Sequence, residues 1–180
     1  MLNSIESTAY LGLGSNLGDG KTTLQDGWQA LGAIEGVVLD GLSSPYMTAP
    51  VDMTSQHWFT NAVGRLKVSL EPLQLLQAMF EVEASFGRTR DEKVFGYQDR
   101  SLDLDLLYFS EVKMDTPELV LPHPRIGERL FVLVPFAELE PDFKDFACGT
   151  SIKEMIQRLD DSFDSLSRKK QEIIHGSWNA

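Results

Sequence analysis

The 180-residue sequence predicts an α+β fold in which two helices cover one face of an antiparallel sheet. Three observations predict it. Segments 8–14, 59–68 and 101–109 combine apolar alternation with flanking turn residues, as strands do. Segments 20–34 and 71–86 repeat apolar residues at three and four, the period of a helix. With 37–46 read as a further strand, the order along the chain is strand, helix, strand, strand, helix, strand. That order is the split β-α-β, or ferredoxin-like, arrangement.

Each element has its own signal. Residues 8–14, TAYLGLG, form a strand that runs into a Gly-rich turn. The continuation GLGSNLGDGKTT, 12–23, approaches two phosphate-binding patterns and meets neither. Gly20-Lys21-Thr22 has the end of a P-loop, but Ser15 stands where its first Gly belongs. Gly12 and Gly14 open a dinucleotide fingerprint, but Leu17 occupies the place of the third Gly. In 20–34, Leu24, Trp28 and Leu31 mark one helical face. Residues 37–46 form the second strand, interrupted by Gly41, and 47–58 a polar loop around Pro50. FTNAVGRLKV, 59–68, is the third strand.

In 71–86, Pro72 suits a first helical turn, Leu73, Leu76, Phe80 and Glu83 mark successive turns, and Gly87 is a stop. A charged loop, RTRDEKVFGYQDR, fills 88–100, and SLDLDLLYF, 101–109, is the fourth strand. Beyond it, LVLPHPR and RLFVLVPF predict a short strand, a turn and a helical piece. Ile152, Met155, Ile156, Leu159 and Phe163 share one face of a helix over 151–167. The expected division is a functional domain over 1–146 and a helical extension of that domain over 147–180.

Composition narrows the partners. A net charge of −11 opposes nonspecific binding to nucleic acid or to an anionic membrane surface. It leaves anionic small molecules open, because local arginines decide that. The single cysteine, Cys148, forms no internal disulfide, and no signal peptide is read at the N-terminus, so a reducing cytoplasm is expected. The sequence leaves oligomeric state open, with a monomer as the default.

The chemistry concentrates in Arg100-Ser-Leu-Asp-Leu-Asp-Leu-Leu. On a strand, Asp103 and Asp105 share one face, with carboxylates about 7 Å apart. Like charges that close ask for compensation, and Mg²⁺ supplies it with one or two carboxylates plus phosphates and waters. An edge strand with a charged outer face reads the same way. The preceding loop adds Arg88, Arg90, Lys93 and Arg100 to an otherwise acidic protein. Guanidinium forks suit phosphate. Phe59 and Asn61 share a face of the third strand, so a ring and an amide can meet one flat heterocycle. His123, Arg129 and Phe131 follow in the turn LPHPRIGERLF.

Taken together, Gly14-Ser15-Asn16, Phe59-x-Asn61, Gly87-Arg88-x-Arg90, the run at 100–107 and Pro122-His123 followed by Arg129-Leu-Phe131 resemble the 6-hydroxymethyl-7,8-dihydropterin pyrophosphokinase family. The resemblance spans roughly 8–143. It implies a ferredoxin-like fold and transfer of pyrophosphate from ATP to the pterin hydroxymethyl group, releasing AMP, in folate biosynthesis. By the same resemblance Asp103 and Asp105 hold two Mg²⁺, and Arg88 and Arg100 are catalytic. Glu83, Arg90, His123 and Arg129 are implied on the ATP side. Thr48, Val51 and Asn61 read the pterin edge, and Phe59 and Phe131 sandwich its ring. Phe95 stands where many members have Trp, Phe59 where Tyr is frequent, and Pro124 where some carry Tyr. Two other readings are a P-loop-like NTPase and a non-catalytic ferredoxin-like module that binds a small ligand for regulation.

Overall fold

A computed structural model of the chain describes residues 6–50, 57–88, 99–165 and 171–179. The first elements are β1 (Ser7–Ser15), α1 (Gly20–Gly32), β2 (Val37–Leu42), β3 (Tyr46–Thr48), β4 (Phe59–Val68), α2 (Pro72–Ser85) and β5 (Asp103–Phe109). A hairpin of β6 (Met114–Asp115) and β7 (Val120–Leu121) follows, then a 3-10 turn at Ile126–Glu128, α3 (Leu130–Leu139), α4 (Ile152–Ser165) and β8 (Ile173–His175).

The main sheet runs β5-β1-β4-β3-β8, with β2 also on β4, and every pairing is antiparallel. The fourth, first, third and second expected strands therefore lie side by side in that order, as the split β-α-β reading requires. Alternation then divides the sheet. Ala9, Leu11, Leu13, Ala62, Leu66, Leu104 and Leu106 enter a core with α1 and α2. Tyr10, Val63, Leu107 and Tyr108 enter a second core with α3 and α4.

Local chemistry sets the helix ends. Asp19 sits in extended backbone and accepts from the Thr22 N–H (3.2 Å) and hydroxyl (2.7 Å), an N-cap for α1. The Gln74 side chain reaches back to the Glu71 N–H at 2.9 Å, and Pro72 opens α2. Gly87, at φ +83°, turns the chain out of α2. The buried stripe of α2 differs from the expected one. Leu75, Leu76, Met79, Val82 and Glu83 face inward, whereas Leu73 is 45% exposed. Leucines at 73, 75 and 76 offer two possible stripes, and the one that continues through Met79 and Val82 buries more apolar surface.

Two further expectations are corrected. The strand over 37–46 is two strands, because the register slips between Leu39 and Gly41 and the chain is then pinned at Ser43 and Ser44. Ser43 exchanges bonds with the Val63 backbone (2.9 and 3.0 Å), and Ser44 gives its N–H and hydroxyl to Glu138 of α3. β3 then occupies the start of the expected loop. The extension over 147–180 contains α4, buried through Ile152, Met155, Leu159 and Phe163 as expected, but its end is a strand, β8, rather than helix. No helix among the described residues is long and apolar enough to cross a membrane.

The Trp28 ring of α1 packs against β4 at Gly64, where an added Cβ would collide with the indole. Both partners are in the core, so neither can move aside without opening it. Gly64→Ala is expected to cost about 1–3 kcal/mol of unfolding free energy by overpacking, read as a lower urea midpoint with an unchanged slope.

Candidate active site

Strand alternation delivers the two carboxylates. Leu102, Leu104 and Leu106 go beneath the helices, so Asp103 and Asp105 point together to the opposite face. A bulge then changes the phase of β5: Tyr108 pairs with Tyr10 but Leu106 with Leu11, and Leu107 and Tyr108 both turn into the α3–α4 core. On β1, Gly12 lies opposite Asp105 and Gly14 opposite Asp103, while Asn61 of β4 lies opposite Gly14 on its other side. Two glycines thus leave the floor between the carboxylates and Asn61 without side chains.

Arginines from three segments close on the carboxylates. Arg88, just beyond α2, donates through Nη1 to both Glu83 and Asp103. Arg100 Nη1 lies 2.7 Å from the other Asp103 oxygen. Arg129 Nη1 donates to Asp105 at 3.2 Å, and its guanidinium lies 5.5 Å from the Phe131 ring centre. Glu83 is only 1% exposed and also accepts the Leu104 N–H at 2.7 Å. It thereby joins α2 to β5 and aims Arg88. Arg100 is aimed by Asn16 at the end of β1. Asn16 accepts the Arg100 N–H (2.8 Å), donates its own N–H to the Arg100 carbonyl (3.2 Å) and donates its amide to Asp99 (2.6 Å).

Two clefts meet at the carboxylates. One, of about 330 Å³, is lined by Leu76, Phe80, Arg88, Glu118, Val120 and His123 among others. The second, of about 30 Å³, is lined by Gly12, Gly14, Asn61, Phe131 and neighbours. Among the described residues only Asp103 and Asp105 line both. Beside the larger cleft, His123 is fixed by its N–H to the Leu107 carbonyl (2.9 Å), and its Nδ1 accepts from the Arg125 N–H (3.2 Å). The ring proton is therefore on Nε2. Burial lowers the His123 pKa; Asp105 opposes that shift, and Arg129 and Arg125 reinforce it, so the ring is neutral at pH 7.

On the small cleft's side, Thr48 (3% exposed) accepts from the Asn61 amide at 2.9 Å. That bond fixes which way the amide faces. Phe59 stands on the same strand face two residues away, half-buried, and does not line the cleft among the described residues. Val51, Arg90, Lys93 and Phe95 lie outside the described residues.

The donor set fits Mg²⁺. Among the described residues no three His, Cys, Asp or Glu side chains converge as a full cage. Two adjacent carboxylates do, and Mg²⁺ characteristically takes one or two from protein and the rest from phosphate and water. Sequence reasoning did not assign Asn16 its part in holding Arg100, although a polar residue closing a strand before Gly-rich sequence was a visible signal. Glu83, which the resemblance implies on the ATP side, is 1% exposed and accepts from Arg88.

Comparison with known proteins points the same way. The family profile described as 7,8-dihydro-6-hydroxymethylpterin-pyrophosphokinase (HPPK) matches residues 10–141. A 2-amino-4-hydroxy-6-hydroxymethyldihydropteridine pyrophosphokinase of Methylorubrum extorquens is 38% identical over 154 residues, covering 86% of this chain and 94% of that protein. The Bacillus subtilis enzyme of the same name is 39% identical over 135 residues, covering 75% and 79%. Among solved structures, an HPPK-DHPS in complex with substrates superposes with a TM-score of 0.73 over 92% of this chain at 12% identity. A Plasmodium falciparum HPPK-DHPS triple mutant gives 0.71 over 93% at the same identity. This chain spans 45% and 47% of those two longer chains, and the likeness concerns the fold. The site built on β5 and the match over residues 10–141 lead to one conclusion: the chain belongs to the 7,8-dihydro-6-hydroxymethylpterin-pyrophosphokinase family.

Proposed function

We propose that this chain transfers the terminal pyrophosphate of ATP to the hydroxymethyl group of 6-hydroxymethyl-7,8-dihydropterin, releasing AMP, as a step of folate biosynthesis. The supporting observation is the carboxylate pair at the junction of two clefts. Group transfer between two bound substrates needs such a junction, with charge compensation where they meet. The pterin hydroxyl oxygen attacks the β-phosphorus. The bond from that phosphorus to the bridging oxygen of AMP breaks, and the hydroxyl proton passes to solvent.

Asp103 and Asp105 would hold two Mg²⁺, which when bound offset triphosphate charge and polarise the transferring group. Arg88 and Arg100 stabilise charge on that group. Both lie on Asp103, one of the two carboxylates at the junction of the clefts. Arg90, Arg129 and His123 bind the nucleotide, His123 as a neutral donor through Nε2. Glu83 acts on the ATP side through Arg88, a reading its burial and its bond from Arg88 support. Asn61, oriented by Thr48, reads the pterin edge with Val51, and Phe59 and Phe131 stack on its ring. The lone Cys148 suits a reducing cytoplasm.

The P-loop reading finds no support in this geometry. The sheet pairs antiparallel throughout, and the N-terminus of α1 is occupied by the Asp19 carboxylate, where a phosphate would have to sit. The regulatory-module reading predicts no turnover. Pterin-dependent AMP release from ATP tests the proposal directly: AMP that requires the pterin supports it, while ADP or no product overturns it.

Two further outcomes are expected. Asp105→Asn should nearly abolish AMP release at saturating Mg²⁺ and ATP, whereas Lys21→Ala should stay within about threefold of wild type, since Lys21 lies in the first turn of α1, which the Asp19 carboxylate already caps. The small cleft, of about 30 Å³, is smaller than a bicyclic ring, and Phe131 is among the side chains that line it. Arg129 rests on both Phe131 and Asp105, and triphosphate would draw it away. Calorimetry should therefore show pterin binding at least about tenfold tighter with Mg²⁺ and a nonhydrolysable ATP analogue than without them. Equal affinities would contradict this coupling.

A further inference from the structure

The segment 171–179 lies outside the family match, yet it bonds to the turn that leads into Phe131 and to β3, whose Thr48 holds Asn61, and Phe131 and Asn61 both line the small cleft. At its start, the Gln171 amide makes two bonds to the turn before α3. Its oxygen accepts the Leu130 N–H and its nitrogen donates to the Glu128 carbonyl, each at 2.9 Å. Between those two residues sits Arg129, and Phe131 comes next. The following residues then lace onto β3. Glu172 accepts the Ala49 N–H (3.3 Å), and Ile173, Ile174 and His175 pair with Thr48, Met47 and Tyr46. Gly176 donates to the Pro45 carbonyl (2.8 Å), and the Trp178 indole to the Ser43 carbonyl (2.9 Å).

We propose that Gln171 is a positioning residue for the pterin cleft, tying the turn that leads into Phe131 to β3, whose Thr48 holds Asn61. The inference rests on the reading of that cleft as the pterin site. The geometry argues for a tie rather than a simple edge cover. A strand that only protected β3 needs the ladder from Ala49 to Ser43 and nothing more. Gln171 instead directs both halves of its amide to the turn before α3, at the two backbone groups that bracket Arg129. Without these bonds the turn before α3 keeps its place in the core through Ile126 and Leu130, both 3% exposed. What is lost is the coupling of that turn to β3, and hence the spacing between Phe131 and the Thr48–Asn61 pair.

Gln171→Met keeps the length of the side chain and removes both bonds. It should weaken binding of 6-hydroxymethyl-7,8-dihydropterin about five- to tenfold in calorimetry with Mg²⁺ and a nonhydrolysable ATP analogue present. Affinity for the analogue alone should stay within about twofold, and hydrogen exchange at the Leu130 amide should accelerate. Gln171→Glu keeps the acceptor for Leu130 but sets a carboxylate oxygen against the Glu128 carbonyl, so it should weaken pterin binding as well. Unchanged pterin affinity in Gln171→Met, or equal weakening of pterin and analogue, overturns the proposal. A wild-type chain that binds no pterin overturns the proposed function itself, and the inference with it.

Discussion

The carboxylate of Glu83 has almost no contact with water, and it is held by the Leu104 N–H and by Arg88. A buried charge without partners costs several kcal/mol, so these partners have to be in place whenever the chain is folded. Their positions then follow. The end of α2 is fixed against the start of β5, and the outward N–H of an edge strand is satisfied. Arg88 is also held at a point from which it reaches Asp103. Because Asp103 must share that face of β5 with Asp105, a single buried group sets the frame in which the carboxylate pair and its arginine stand.

The rest of the site exploits the division of the sheet into two faces. One face is spent wholly on the α1–α2 core. The other is core near α3 and α4 and cleft elsewhere, and the bulge at Leu107 marks the change along β5. The apolar part provides rigidity and the polar part chemistry, on the same strands and a few residues apart. The groups proposed to meet substrates come from strand ends and from the turns beside them, while the helices underneath supply buried area, about 1.5–3 kcal/mol for each enclosed leucine.

Much of this was legible in the sequence, for identifiable reasons. β4 is found at its expected limits because FTNAVGRLKV alternates cleanly and is buried on both faces. The Asp103–Asp105 pair was legible because a strand with carboxylates two apart allows only one geometry. Other features depended on partners that local sequence does not reveal. The break between β2 and β3 comes from Ser43 and Ser44 meeting Val63 and Glu138, far along the chain. The choice between two leucine stripes on α2 is decided by what the sheet offers. β8 has only three residues, and nothing in Ile173-Ile174-His175 by itself distinguishes a strand from a loop end. The positions of Val51 and Arg90 in the site rest on the family resemblance alone.

Two glycines of adjacent strands show how differently one methyl group would register. At Gly64 an added Cβ collides with the Trp28 ring in the core, and the cost is charged to folding. At Gly14 it would stand 3.2 Å from the Asn61 Oδ1 and 3.9 Å from the Asp103 Cβ. The amide there has only to shift by a few tenths of an ångström, but that shift misdirects the group that is proposed to read the substrate. Variation at the first position is visible to selection through abundance of the folded chain. At the second it is visible only through turnover, so a count of folded molecules passes a Gly14→Ala chain as sound.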